Sequence, residues 1–207
     1  MNAGEFATEE LVERLRGGES QVLGTLFERY RSQLHRMVEF RLDRRLRGRV
    51  DASDVLQDAF VDVSQYIDRF ISQPEMPLIV WLRIMTTQRM IDIHRRHLGA
   101  EKRNAAQDVS LNQPGVYEAT SACIAVQLVG NLPTPSAGAQ LGERIQKLEE
   151  TLERMDPLDR EVLAMRHFEE LSNGEVAEIL GLSKSAASNR YVRALKRLKD
   201  ISSHEQF

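Results

Sequence analysis

With 207 residues, 42% hydrophobic and 29% charged, the chain has the makeup of a soluble globular protein of one large or two small domains. Helix formers dominate and aromatics are only 6%, so mostly helix is expected. No apolar run nears the ~20 residues of a membrane span, residues 1–10 lack the features of a signal peptide, and the single Cys123 excludes an internal disulfide, so a cytoplasmic location is expected. A net charge of -3 and a pI near 6.0 would argue against a nucleic-acid partner if charge were spread evenly. It is segregated instead, and local patches decide phosphate contact because charges more than about 8–10 Å apart are screened.

In chain order, Thr8-Glu9-Glu10 reads as a cap and acidic first turn, followed by Leu11, Val12 and Leu15 and the breaker Gly17-Gly18. A second helix is predicted over about 20–40, with Val22, Leu26, Tyr30, Leu34 and Met37 at helical spacing. A dense arginine run follows between Arg41 and Arg49, suited to adding non-specific DNA affinity. A third helix starts near Ala52, with Val55, Leu56, Ala59, Phe60 and Val63 facing inward and Asp54, Gln57, Asp58 and Asp62 facing out. Pro74 and Pro77 mark a loop over about 71–77, and a fourth helix runs over about 78–97, carrying Arg83, Arg89, Arg95 and Arg96. Residues 104–140, with three prolines, read as a linker that contains an apolar cluster around Val126. That cluster suits a short helix docked on a domain or on a partner. Helical periodicity resumes at Leu141 and stops at Asp156-Pro157, where the next helix begins.

The segment 171–199 has the layout of a helix-turn-helix, a motif whose second helix lies in the DNA major groove. Ala177 is small where two helices cross, Gly181 occupies a turn that favours positive φ, Leu182 enters the core, and Ser183 is placed to cap the next helix. That next helix carries Lys184, Arg190, Arg193, Lys196, Arg197 and Lys199 and no acid up to Lys199. A solvated basic face on an ordinary helical hairpin is the plainer alternative.

Three blocks together carry a more specific signal: Asp51-Ala52-Ser53-Asp54-Val55-Leu56-Gln57-Asp58-Ala59-Phe60, then Trp81-Leu82-Arg83-Ile84, then Leu152 to Val162 ahead of the helix-turn-helix. In this order they resemble the two-domain extracytoplasmic-function (ECF) group of the bacterial sigma-70 family. The resemblance implies an all-α protein of two small helical domains joined by a flexible linker: sigma domain 2 at 8–103, the linker at 104–140 and a helix-turn-helix sigma domain 4 at 141–203. It implies a transcription initiation factor, without enzymatic activity or cofactor, that binds core RNA polymerase and promoter DNA and assists -10 melting. By position, Asp51, Asp54, Gln57 and Asp58 would contact the polymerase. Ser72, Gln73, Trp81, Arg83, Gln88, Arg89, Arg95 and Arg96 would serve the -10 element, with a plain core tryptophan as the rival reading of Trp81. Lys184, Ser185, Ser188, Asn189 and Arg193 would face the -35 groove, with Arg190, Lys196 and Arg197 on phosphates. Ala186 and Ala187 replace larger residues usual at those positions.

The resemblance also implies a monomer when free, no membrane insertion, and control by an anti-sigma protein, another regulator or the linker itself. Two rival readings are a one-component helix-turn-helix regulator and a sigma-like decoy that binds regulators without initiating. His94 and His97 lie one turn apart, but no further ligand pair completes a metal site, and none is expected.

Overall fold

The computed structural model describes residues 7–42, 46, 48–98, 121–130 and 138–204, which divide between two compact units, 1–116 and 117–207. Among the described residues every regular element is helical.

The N-terminal unit begins with α1 (Thr8–Arg16), which buries Leu11 and Leu15. Ala7, not Thr8, is its N-cap, and the Thr8 hydroxyl instead accepts a bond from Arg29 at 3.1 Å. A 3-10 turn (Ser20–Val22) leads into α2 (Leu23–Arg41), which buries Leu26, Phe27, Leu34, Met37 and Val38. The start of α3 (Ala52–Gln65) is fixed by a reciprocal cap. Asp54 N–H donates to the Asp51 carboxylate at 2.8 Å, and Asp51 N–H donates to the Asp54 carboxylate at 3.3 Å. After Tyr66 the chain makes one more turn of helix, α4 (Ile67–Ile71), ahead of the loop that the prolines mark. The last helix, α5 (Leu78–Leu98), packs on α3 and α2, which also pack on each other. Val55, Leu56, Ala59, Leu82 and Met90 are wholly buried in that three-helix core. Each fully buried Leu or Met contributes roughly 1.5–3 kcal/mol of hydrophobic stabilisation before entropy is counted.

In the C-terminal unit, α6 (Ser121–Gly130) packs against α7 (Gly138–Glu153). Part of the stretch read as linker is therefore helix, with Ile124 and Ala125 buried. Residues 99–120 and 131–137 lie outside the described residues. The helix α8 (Pro157–His167) has Asp156 as N-cap, accepting from Leu158 N–H at 2.8 Å, and Pro157 at its first turn, where a missing N–H costs nothing.

Next comes α9 (Asn173–Leu180), which starts with a second capping box between Ser172 and Glu175. It ends at Gly181, whose φ of 63° is a conformation that a Cβ disfavours. Leu182 N–H returns to the Ala177 carbonyl at 2.8 Å, and Ala186 N–H donates to the Ser183 hydroxyl at 3.2 Å to start α10 (Lys184–His204). The turn forms as its residue types predict, except that Leu182 is half-buried and does not sit in the core. Ala177, Ala187 and Ala194 are buried where α10 crosses α9 and α8.

Candidate polymerase and nucleic-acid interfaces

Helical periodicity places Asp51, Asp54, Gln57 and Asp58 on the outer side of α3, and all four are exposed. Two of them are partly committed, since Asp51 and Asp54 each spend one carboxylate oxygen on the cap. Val61 and Tyr66, 48% and 40% exposed, add apolar surface further along the same segment. An exposed acidic face with apolar neighbours suits a cationic protein partner, with charge setting register and encounter rate more than affinity.

The cations of α5 divide into two groups. Arg95 and Arg96 are exposed on its last turn, and Gln88 is exposed one turn before Asp92, to which its amide donates at 3.5 Å. The other group points elsewhere. Arg89 makes a two-pronged ion pair with Asp62 of α3, Nε donating at 2.7 Å, and lies 3.9 Å from Asp58. Hydrogen bonding to Asp62 holds its guanidinium above the usual arginine value despite the desolvation that opposes it. Arg89 is thus a tie between α3 and α5, not the free DNA-facing cation expected of it.

Arg83 is fully buried and Trp81 nearly so, with the indole 5.2 Å from the ring of Phe70. Neither can reach a phosphate or base from that position, and both act as core residues of the unit. Arg41, from the arginine run expected to add DNA affinity, is likewise buried, while Arg49 is exposed. Arg44, Arg45 and Arg47 of that run lie outside the described residues.

Ser72 and Gln73 sit exposed in the loop between α4 and α5. The Ser72 hydroxyl donates to the Asp68 carbonyl at 2.7 Å, which fixes it to the end of α4. The loop has a further anchor that sequence reasoning missed. Arg16 of α1 reaches it with Nη2, donating to the carbonyls of Pro74 at 2.6 Å and Met76 at 3.3 Å, and its guanidinium lies over Phe70. The only sequence signal was a basic residue in the last turn of α1, a position that usually serves the helix dipole.

On α10, Lys184, Ser185, Ser188, Asn189, Lys196 and Arg197 are all exposed. The N-terminus of the helix is set against α9 by the Asn173 amide, which donates to the Lys184 carbonyl at 2.8 Å. Arg190 and Arg193 both turn toward α8. Arg190 donates to Asp159 at 2.7 Å and to Asp156 at 3.3 Å, and Arg193 donates to Asp159 through Nε at 2.6 Å and Nη2 at 2.8 Å. Burial alone would raise the Asp159 carboxyl, but the bonds from Arg193 and Arg190 outweigh it and hold the group below its ordinary value. The same bond raises the Arg193 guanidinium. Asp159 was missed as a site residue.

A depressed carboxyl contributes stability above its unfolded pKa and loses it as pH falls through the folded value. Both values lie below the physiological range, so the clamp stays formed through mildly acid pH. The ratio of DNA affinities of the native protein and Arg193→Ala is therefore expected to stay constant from about pH 8 to about pH 5. Fluorescence anisotropy on one labelled duplex checks this, and a ratio that collapses near pH 6 would show that the clamp does not govern Arg193.

Among the described residues no group of three or more His, Cys, Asp or Glu could hold a metal ion, and no helix is long and apolar enough to cross a membrane. The fold and its surfaces define an all-helical DNA-binding protein of two units with a helix-turn-helix in the second. Known families narrow this further. Residues 26–98 match sigma-70 region 2, and residues 145–198 match sigma-70 region 4. The chain is 28% identical over 160 residues to the RNA polymerase sigma factor CnrH of Cupriavidus metallidurans, covering 73% of each. It is 24% identical over 148 residues to the RNA polymerase sigma factor NccH of Alcaligenes xylosoxydans xylosoxydans, covering 72% of this chain and 71% of that one. A solved structure of CnrH in complex with the cytosolic domain of CnrY superposes with a TM-score of 0.47 at 21% identity, covering 94% of this chain and 96% of that one. The protein belongs to the sigma-70 family, in its ECF group, and its role is that of a sigma factor.

Proposed function

We propose that this sigma factor binds core RNA polymerase through the outer face of α3, directs it to a specific promoter and assists melting at the -10 element. The observation that carries the reading is the separation of opposite charge between two faces. Asp51, Asp54, Gln57 and Asp58 are exposed on α3, while Lys184, Lys196 and Arg197 are exposed on α10 beside Ser185, Ser188 and Asn189. An acidic docking face and a cationic helix-turn-helix give the two partners, polymerase and DNA, separate surfaces. The functional domains are taken as 8–103 and 141–203, with 104–140 between them.

In this reading α10 enters the major groove at the -35 element, with Asn189 and Arg193 at base edges and Arg190, Lys196 and Arg197 at phosphates. At the -10 element, Gln88, Arg95 and Arg96 meet the backbone and bases, and Ser72 and Gln73 line the loop that takes an unstacked base. The tether from Arg16 to the Pro74 and Met76 carbonyls supports this role, because a base pocket on a loop needs its backbone held. Trp81, Arg83 and Arg89 support these surfaces from within. No catalytic step, cofactor or membrane insertion is part of the proposal. The protein works in the cytoplasm, monomeric when free, under a regulator of the anti-sigma type that covers one of these faces, and exposed Val61 and Tyr66 offer such a partner apolar anchors.

Salt titration tests the phosphate contacts. Each phosphate that the protein neutralises adds about 0.9 to the slope of log affinity against log salt. Lys196→Ala and Arg197→Ala are each expected to reduce the slope by about that amount and to weaken all DNA sequences alike. Unchanged slopes for both would move the backbone contacts off this face of α10.

A further inference from the structure

Asp159 lies on α8, outside the surfaces given roles above, with only 4% of its side chain exposed. Its two bonds to Arg193, at 2.6 and 2.8 Å, form a parallel pair that fixes the plane of the guanidinium. They use Nε–H and one hydrogen of Nη2, so the remaining three N–H donors stay outside the clamp. Two of those donors, one on each Nη, lie along the Nη1–Nη2 edge, which is suited to O6 and N7 of a guanine in the major groove. The Arg193 side chain is still 59% exposed, so the clamp fixes it without hiding it. Arg190 takes the other side of Oδ1 at 2.7 Å and so fixes the carboxylate itself.

We propose that Asp159 is a positioning residue for promoter reading: it holds Arg193 with its Nη1–Nη2 edge presented to a guanine of the -35 element, and so sets base preference at one position. This rests on the reading of α10 as the -35 helix. A free arginine must give up rotamer freedom when it meets DNA, and one aimed in advance gives up less. The gain falls on the base pair whose acceptors match the fixed fork, because a rigid fork cannot adapt to another base. Stability alone is a weak reason for such a group, since well-packed apolar side chains often do as well as a buried ion pair.

The test uses the full-length protein assembled with core RNA polymerase and a duplex DNA library randomised across the -35 region. Selected sequences are compared for the native protein, Arg193→Ala, Asp159→Asn and Asp159→Leu, the last an apolar replacement that keeps the α8–α10 contact filled should the amide unfold it. Arg193→Ala is expected to erase a guanine preference at one base pair. Either Asp159 variant is expected to lower the preference at that same base pair by about tenfold. Base preferences at other positions should stay as they were, because Asp159 touches no other residue placed at a base edge. Asp159 variants that keep the preference Arg193→Ala erases would overturn the proposal and leave α10 as the reading helix. An even decline at every position would also overturn it, by reducing Asp159 to packing. A native protein with no base preference, or an Arg193→Ala protein with the native one, would overturn both the proposal and the reading beneath it.

Discussion

Asp54→Arg is expected to weaken binding to core RNA polymerase by roughly tenfold or more, because like charges brought together at an interface cost several kcal/mol. The substitution has a second consequence that must be separated from the first. Asp54 is also the third residue of the α3 capping box, accepting from Asp51 N–H at 3.3 Å. Losing that bond weakens the start of the helix by about 0.5–1 kcal/mol. Two further variants divide the effects. Asp54→Gln removes the charge and keeps an acceptor of the kind found in capping boxes. Gln57→Arg adds positive charge on the same exposed face without touching the cap. Gln57→Arg should weaken polymerase binding strongly, while Asp54→Gln should lie between it and the native protein. All three should keep native affinity for -35 DNA in the absence of polymerase. Native polymerase affinity in Gln57→Arg, measured by surface plasmon resonance, would remove α3 from the interface.

Arg193→Ala is expected to cost about tenfold or more in affinity for the cognate -35 duplex, the scale of one good bidentate base contact. Its effect on a duplex of unrelated sequence should be much smaller. The structure adds a distinction that charge alone does not make. Arg193→Lys keeps a positive charge but not the planar fork, and it cannot pair with Asp159 through two parallel bonds. If Arg193 acts by shape, lysine should lose nearly as much discrimination as alanine while restoring most of the non-specific affinity. Competition between cognate and scrambled duplexes reads this directly. Equal discrimination by the Lys variant and the native protein would reduce Arg193 to a phosphate contact.

The helix-turn-helix was legible from residue types because its constraints are local. A positive φ at residue 181 calls for glycine, the crossing calls for small Ala177, and the new helix calls for a cap such as Ser183. The outer face of α3 was legible for the same reason at Asp51, Asp54, Gln57 and Asp58, whereas Asp62, read as facing out with them, is half-buried and bonded to Arg89. The partners of the arginines were not. Arg83 and Arg89 belong to one cationic helix in the sequence, yet one is buried and the other is bonded to Asp62, 27 residues away in the chain. Nothing local separates them from exposed Arg95 and Arg96. Asp159 left a fainter trace. It interrupts the buried stripe Leu152, Met155, Val162 with a carboxylate, and a buried carboxylate needs cationic partners. The helix supplying them begins 25 residues later, so identifying them required the fold. Trp81 allowed two readings for a related reason: an aromatic beside arginines suits base stacking or the core, and its packing against Phe70 favours the core. The short α4 was missed because five residues are too few to show helical periodicity.

In the proposed function, α3 brings polymerase and α10 brings promoter DNA to one chain. Gel filtration of the purified protein with bacterial core RNA polymerase, followed by transcription from a genomic promoter library, tests it most directly. The expected result is co-elution with core and initiation confined to promoters that share one -35 and one -10 sequence. A protein that binds DNA but neither co-elutes with core nor supports initiation would contradict it and leave a one-component regulator in its place.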